Sequence, residues 1–289
     1  MNRPLHISFL GNTYVHGFYH GRIEDCFQRY PQVRHEVCFD FYSFLFIISG
    51  RGEVRIGNRS YETGDHLLFL IPPSFPFSAG FKEPAEGHFI FFCKDFYAAD
   101  FNPIPLSYLF SFFSVYLKEK NIPYLKITPE IADVPVVMQL IEEEYQKKEK
   151  AGAPVIRSYV HVIVQRLLNF LTSHYPQHES FCLINELASL VEKYYVEERQ
   201  VNFYAKQLGM NERKLNQFCL RVFGQNMKQL ILERVMMQAR RMLEQTDLTV
   251  AEIAYKLNFS DNSNFNKIFK KYTHITPLQY RHKHKPFLP

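Results

Sequence analysis

Ala205-Lys206-Gln207-Leu208-Gly209 and Ala254-Tyr255-Lys256-Leu257-Asn258 stand 49 residues apart and open the same pattern twice. In each copy a short helix ends in a tight turn and a second helix follows. The first copy continues Met210-Asn211-Glu212-Arg213-Lys214-Leu215-Asn216-Gln217-Phe218-Cys219, the second Phe259-Ser260-Asp261-Asn262-Ser263-Asn264-Phe265-Asn266-Lys267-Ile268-Phe269. A small residue in the leading helix, Ala205 or Ala254, lets the next helix cross close to it, as a helix-turn-helix requires. Leu215, Phe218, Cys219 and Val222, and then Phe265, Ile268, Phe269 and Tyr272, recur at helical spacing and mark buried faces. Amides, a hydroxyl and cations fill the other positions: Arg213, Lys214, Asn216, Gln217 and Arg221 in the first copy, Asn262, Ser263, Asn264, Asn266, Lys267, Lys270 and Lys271 in the second. Side chains of these types read base edges and grip phosphates, so these residues are the candidate DNA contacts.

At Ala254-x-x-Leu257-x-Phe259, Asn264-Phe265-Asn266-Lys267-x-Phe269-Lys270-Lys271 and Thr276-Pro277-x-x-Tyr280-Arg281 the chain resembles the AraC/XylS family of bacterial transcriptional regulators. Leu230-x-x-x-Arg234 through Ala239-Arg240-x-Met242-Leu243 is similar to the family's connecting helix. The resemblance is specific over Leu190 to Arg281 and looser before it. It departs at Asn258 and His274, where the family usually has glycine in turns that often need positive φ; Asn tolerates that conformation best among the other residues, and His is also enriched there. The resemblance implies sequence-specific transcription regulation, with activation the expected sense. Its expected partners are double-stranded DNA, RNA polymerase, a second copy of the chain and a small-molecule effector. A connecting helix from Met227 to Glu244 would be about 27 Å long at 1.5 Å per residue. With half a helix-turn-helix added at each end, the two reading helices would approach the ~34 Å between successive major grooves on one face of DNA.

Charge agrees with this division. From Phe181 onward 17 Lys and Arg face 10 Asp and Glu, whereas the preceding residues carry 17 against 19. A basic C-terminal part beside a near-neutral N-terminal part fits a nucleic-acid module joined to something else. A chain of 289 residues, 46% hydrophobic, accommodates two domains, expected at 1–175 and 176–289. No apolar run approaches the roughly 18 residues of a membrane span, and Met1-Asn2-Arg3-Pro4-Leu5-His6 lacks the apolar stretch of a secretory signal. The five cysteines, Cys26, Cys38, Cys93, Cys182 and Cys219, are scattered with no C-x-x-C pair, as expected of reduced thiols in a cytoplasmic protein.

The fold class expected is α+β: an N-terminal cupin-like antiparallel β-barrel with a helical dimerisation segment, then an all-α domain with two helix-turn-helix units. Between Ser8 and Cys93 short strands alternate with turns. Phe44-Leu45-Phe46-Ile47-Ile48 reads as a buried strand stopped by Gly50-Arg51-Gly52. Glu53-Val54-Arg55-Ile56 alternates with period two, and Gly57-Asn58 signals a hairpin into Arg59-Ser60-Tyr61. His66-Leu67-Leu68-Phe69-Leu70-Ile71 and His88-Phe89-Ile90-Phe91-Phe92-Cys93 are further strands. Such spacing suits a small antiparallel barrel or jelly roll, and Asp40 to Phe77 also looks like the cupin-type sensor barrel of many AraC-family members. Helices are expected over about 128–175, one from near Pro135 and one after Gly152-Ala153-Pro154. In the second, Ile156, Val160, Ile163, Leu167 and Phe170 recur in steps of four and three. That seam is expected to mediate self-association, the alternative being that it packs on its own chain. Ser173-His174-Tyr175-Pro176-Gln177-His178-Glu179-Ser180 has the composition of a linker.

A cupin can also be a metal-dependent enzyme with an accessory helical domain, which is the rival reading. Its usual ligand positions fall near Val37, Phe39, Ser43 and Phe77, none of which holds a metal in the usual way. His35 and His66 are isolated and His16-x-x-x-His20 falls in an expected loop, so surface or hydrogen-bonded roles are assigned to them. Phosphate loops, G-x-S-x-G and a supported Cys-His pair are missing from the sequence. The expectation is therefore no catalytic residue, no metal and no cofactor. Phe41, Phe44, Phe46, Phe69, Phe75, Phe77, Phe81, Phe89 and Phe91 either fill the barrel or line a pocket at its mouth; a filled core is expected for most. Thr249-x-x-Glu252 is a capping box, Thr276-Pro277 sets an N-cap and first-turn residue, and His282-Lys283-His284-Lys285 is a basic tail.

Overall fold

A computed structural model of the chain describes residues 15–101, 106–107, 109–110, 124–174 and 179–284. The expectations for Met1 to His6, for linker positions 175–178, for Lys285 and for the Cys182 side chain lie outside the described residues. Contacts divide the chain into two units, Met1–Tyr175 and Pro176–Pro289.

The N-terminal unit contains strands β1 (Phe18–Arg22), β2 (Val37–Cys38), β3 (Tyr42–Ser49), β4 (Gly52–Ile56), β5 (Arg59–Glu62), β6 (Leu67–Ile71), β7 (Pro76–Phe81), β8 (Glu86–Phe92) and β9 (Tyr124–Lys126). They form two antiparallel sheets, ordered β1-β8-β3-β6-β9 and β2-β7-β4-β5. Helices accompany them, among the described residues α1 (Ile23–Arg29), α2 (Lys94–Ala98), α3 (Asp133–Gln146) and α4 (Ala153–His174). Sequence pattern follows from what each strand touches. β4 has one face toward solvent and alternates, whereas β3, β6 and β8 are apolar almost throughout because both faces are covered. Leu45, Ile47, Phe69, Phe89 and Phe91 meet Val54, Phe77 and Ala79 of the other sheet in one core. This core is filled with aromatic rings; Phe39 and Phe41 stack with centroids 4.6 Å apart and Phe41 meets Phe91 edge-on at 5.3 Å. The opposite face of the larger sheet carries Phe18, His20, Phe44, Phe46, His88 and Phe92, all buried, and α3 packs against it at β1.

Three expectations are corrected here. His20 lies in β1 rather than in a loop, and is 3% exposed. Ile156, Val160, Ile163 and Leu167 are each fully buried within their own unit, where α4 packs along α3. A seam of period 3.5 serves a neighbouring helix of the same chain as well as it serves a partner, and in this unit the four side chains face their own chain. The outer side of α4 instead exposes Val155 and Val162. Finally, Ser173 and His174 belong to α4 and not to the linker, since the Ser173 hydroxyl donates back to the Asn169 carbonyl (2.9 Å) and prolongs the last turn.

The described part of the C-terminal unit is helical: α5 (Glu179–Tyr194), α6 (Val201–Gln207), α7 (Glu212–Phe223), α8 (Met227–Gln245), α9 (Val250–Lys256), α10 (Asn262–Thr273) and α11 (Pro277–His284). α8 runs between the two helix-turn-helix units and contributes to both cores. Met227, Leu230 and Ile231 are buried in its first turns, where α7 packs against it, and Val235, Met236, Ala239 and Leu243 join Ile253, Leu257, Phe265 and Phe269. Its one buried charge, Arg234, is 5% exposed; its guanidinium donates to both carboxylate oxygens of Glu192 in α5 (2.7 and 2.6 Å) and lies 4.1 Å from the Tyr195 ring centroid. A bidentate pair of this kind keeps a buried cation hydrogen-bonded.

Candidate nucleic-acid interface

The duplication extends further than the two short helices that reveal it. Ala205 and Ala254 are both buried under the crossing helix. The turn after α6 has Gly209 at φ +64° and the turn after α9 has Asn258 at +55°, each in the left-handed region. Beyond these turns the spacing between copies rises from 49 to 50, because the second turn is one residue longer. Asn211 caps α7 by accepting from the Lys214 N–H (2.9 Å), and Asp261 caps α10 by accepting from the Asn264 N–H (2.6 Å). α7 ends on Gly224 at φ +69° and α10 on His274 at +64°. Asn226 and Gln229 then form a capping box on α8, and Thr276 and Gln279 exchange the corresponding bonds at the start of α11. Thr249 and Glu252 make the box expected for α9.

α7 and α10 each bury one face and leave the other in solvent. Leu215, Phe218, Cys219 and Val222 are buried on α7, Phe265 and Phe269 on α10. Tyr272, expected on the buried side, is 38% exposed. Arg213, Lys214, Gln217 and Arg221 are exposed on α7; Asn262, Ser263, Asn264, Lys267, Lys270 and Lys271 are exposed on α10. At the spacing of 50, Arg213 corresponds to Ser263, Gln217 to Lys267 and Arg221 to Lys271.

The two remaining candidates, Asn216 and Asn266, are half-buried at the flank of their helices and already hydrogen-bonded. Asn216 Oδ1 accepts the N–H of Met227, the first residue of α8 (3.0 Å), so this amide fastens α7 to the connecting helix. The residue equivalent to Met227 is Pro277, which has no N–H to give. Asn266 turns its Nδ2 to the carbonyl of Asn262 instead (2.8 Å). Two exposed positions were not singled out from sequence. Leu220, 52% exposed, sits among the cations of α7, and Tyr255, 84% exposed, stands on α9; each breaks the apolar period of its helix, which was the available signal.

The Tyr280-Arg281 pair closes the unit. The Tyr280 hydroxyl donates to Glu244 Oε1 (2.7 Å), and the Arg281 guanidinium donates to the carbonyls of Leu243 and Leu248. These bonds fasten α11 to the end of α8 and satisfy carbonyls there. Two helix-turn-helix units with solvent-facing second helices, braced by one shared helix, define a tandem helix-turn-helix protein.

A family model described as a helix-turn-helix domain matches residues 204–283. The Msm operon regulatory protein of Streptococcus mutans serotype c is 23% identical over 253 residues, 84% of each chain. The HTH-type transcriptional activator RhaS of Escherichia coli O1:K1 / APEC is 25% identical over 154 residues, 53% of this chain and 55% of RhaS, about half that relative's length. Among solved structures, a transcriptional regulator from Chromobacterium violaceum of the AraC-type DNA-binding domain-containing class aligns with 25% identity, covering 36% of this chain and 94% of that one, with a TM-score of 0.35. These matches mark residues 204–283 as the helix-turn-helix domain of an AraC-type transcription regulator.

Proposed function

We propose that the chain reads a bipartite site on double-stranded DNA, with α7 and α10 entering successive major grooves. The observation that carries this is the repetition of one exposed, polar and cationic face at equivalent positions on the two sides of α8. Arg213 and Gln217 are the base readers of α7, with Lys214 and Arg221 on phosphates. Ser263 and the amides Asn262, Asn264 and Asn266 contribute base contacts from α10, while Lys267, Lys270 and Lys271 act mainly on phosphates. Asn216 serves chiefly to place α7.

Arg213→Ala or Gln217→Ala should weaken specific binding by about 1–3 kcal/mol and relax preference in one half-site. Lys267→Ala should weaken binding to every sequence alike and lower the log–log salt slope by about 0.9. A footprint unchanged in the Arg213→Ala/Gln217→Ala double variant would sink the assignment.

The N-terminal unit is read as a cupin-type sensing module for a small-molecule effector, in a homodimeric, cytoplasmic activator that contacts RNA polymerase. The family resemblance supports this reading, as do the paired antiparallel sheets; among the described residues no helix is long and apolar enough to cross a membrane. Val155 and Val162 on the outer side of α4 are the residues assigned to self-association. Sedimentation of the Val155→Glu/Val162→Glu variant as a monomer, where the parent chain is a dimer, is the expected result.

A further inference from the structure

His20 in β1 and His88 in β8 meet on the helix-facing side of the larger sheet, His20 Nε2 lying 3.0 Å from His88 Nδ1. Glu142 reaches down from α3, with Oε2 3.8 Å from His88 Nδ1. One nitrogen or oxygen from each of the three residues falls within 4.8 Å of the others. We propose that His20, His88 and Glu142 bind a divalent transition-metal ion of the zinc class, held between the sheet and α3. This goes beyond the DNA-binding reading and can fail while that reading stands. It also differs in place from a metal site inside the barrel, where Phe39, Ser43 and Phe77 are buried in the core.

The geometry is close to what an ion needs. Two ligand atoms on one tetrahedral zinc lie about 3.3 Å apart, given bonds near 2.0–2.1 Å. The histidine nitrogens, 3.0 Å apart, are a few tenths of an ångström inside that separation, and the carboxylate oxygen, 3.8 Å from His88 Nδ1, is somewhat outside it. Without an ion the group is poorly satisfied. One of the two facing nitrogens must supply a proton to the other, Glu142 Oε2 is beyond hydrogen-bond distance of His88, and His20 Nδ1 is buried with no partner. Buried imidazole nitrogens are ordinarily paired. His20 Nε2, the nitrogen that already faces His88, is the one placed to coordinate.

Protonation and surroundings suit the same role. Burial first, and the neighbouring imidazole second, pull His20 down to about 3, and burial pulls His88 down too, so both rings are neutral lone-pair donors at neutral pH. Burial acts to raise Glu142, but the hydrogen bond and charge of Arg22 act against it, and the carboxyl lies below its usual range. Arg22 Nε donates to Glu142 Oε1 at 2.7 Å, orienting the carboxylate and leaving Oε2 toward the histidines, as outer partners of metal ligands do. His88 and Glu142 also line an open cleft of about 1310 Å³ with Glu24, Asp25 and Glu86, which gives a cation a route in through an acidic mouth. Two imidazoles and one carboxylate favour zinc, nickel or cobalt over magnesium or calcium, which prefer oxygen alone.

The test is a titration of the full chain, stripped with EDTA, with Zn²⁺ and with Co²⁺. One equivalent of zinc retained through gel filtration is expected, together with Co²⁺ visible bands of nitrogen–oxygen ligation and no sulfur-to-cobalt charge transfer. Glu142→Gln, which preserves shape, and His88→Gln should each weaken binding more than about 100-fold, and Arg22→Ala roughly tenfold. His66→Ala, at the rim of the same cleft, should leave affinity unchanged. Absence of stoichiometric binding by the parent chain, a cysteine signature in the cobalt spectrum, or unchanged affinity in Glu142→Gln overturns the proposal. If His88→Gln fails to fold by circular dichroism, the parent spectrum and Glu142→Gln still decide.

Discussion

In the first helix-turn-helix unit a side chain, Asn216, bonds the helix that follows it; in the second, the equivalent N–H is missing because Pro277 stands where Met227 stood. The second unit is fastened from the far side instead, by Tyr280 and Arg281 reaching the end of α8. Two copies of one plan have thus divided their supports differently. The outward faces differ as well: the guanidinium of Arg213 is matched by the short hydroxyl of Ser263, and the amide of Gln217, which suits adenine, by the ammonium of Lys267, which suits guanine or a phosphate. Equivalent positions on duplicated helices therefore need not carry equivalent roles. What decides the role is the backbone atom that the next element offers.

The support common to both units should give the largest effect. Glu192→Ala leaves the buried Arg234 guanidinium without its carboxylate, and a loss of about 2–3 kcal/mol in denaturant stability is expected. Hydrogen exchange should show both units opening more easily. If only one loses protection, α8 does not couple them.

Asn216→Ala should come next, at about 1 kcal/mol, because it strands the Met227 N–H at the start of α8. Asn266→Ala should leave stability nearly unchanged, since its bond stays within the turn of its own helix. Equal losses in the two variants, measured by thermal unfolding, would erase the distinction drawn between the units.

Much of this region was legible in advance. Alanine under a crossing helix, the Thr249–Glu252 box, the Thr276 cap and the left-handed turns at Asn258 and His274 are local effects, set by residues within a few positions of each other. The strands Phe44 to Ile48 and Leu67 to Ile71 were legible for a similar reason, as apolar runs between turns. Other features were not. Ile156, Val160, Ile163 and Leu167 show a period that is the same whether the partner helix lies in the same chain or in another. The role of Asn216 depends on an N–H eleven positions onward. His20, His88 and Glu142 come from two strands and a helix, 68 and 54 residues apart, and only the β1–β8 register brings the histidines together.

Smaller effects are expected at the turns. His274→Gly should raise stability by about 0.5–1 kcal/mol by relieving a left-handed conformation. Asn258→Gly should bring little net change, because Asn258 Nδ2 also donates to the Val196 carbonyl (3.3 Å), which glycine cannot do. A gain at Asn258 equal to that at His274 would show that this bond contributes nothing.

The smallest contrast lies between capping boxes. Gln229 in the box of α8 is neutral at every pH, while Glu252 in that of α9 is ionisable and is held below the usual carboxylate range by its hydrogen bonds to Thr249. A depressed pKa means that the carboxylate's contribution is complete above the unfolded-state value and fades as pH falls through the folded one. Helix α9 should therefore fray in acid before the start of α8 does, a difference visible in amide chemical shifts. Glu252→Gln should abolish it.

The continuous helix α8, Met227–Gln245, also fixes an angle. Each residue of an α-helix advances the chain by 1.5 Å and turns it by about 100°. Adding or removing one residue between the two units would hardly alter their separation, yet would swing one outward face more than a quarter turn away from the other. A change of about seven residues would restore the rotation but alter the separation by about 10 Å. Any surface that engages both faces at once must match them in phase as well as in distance.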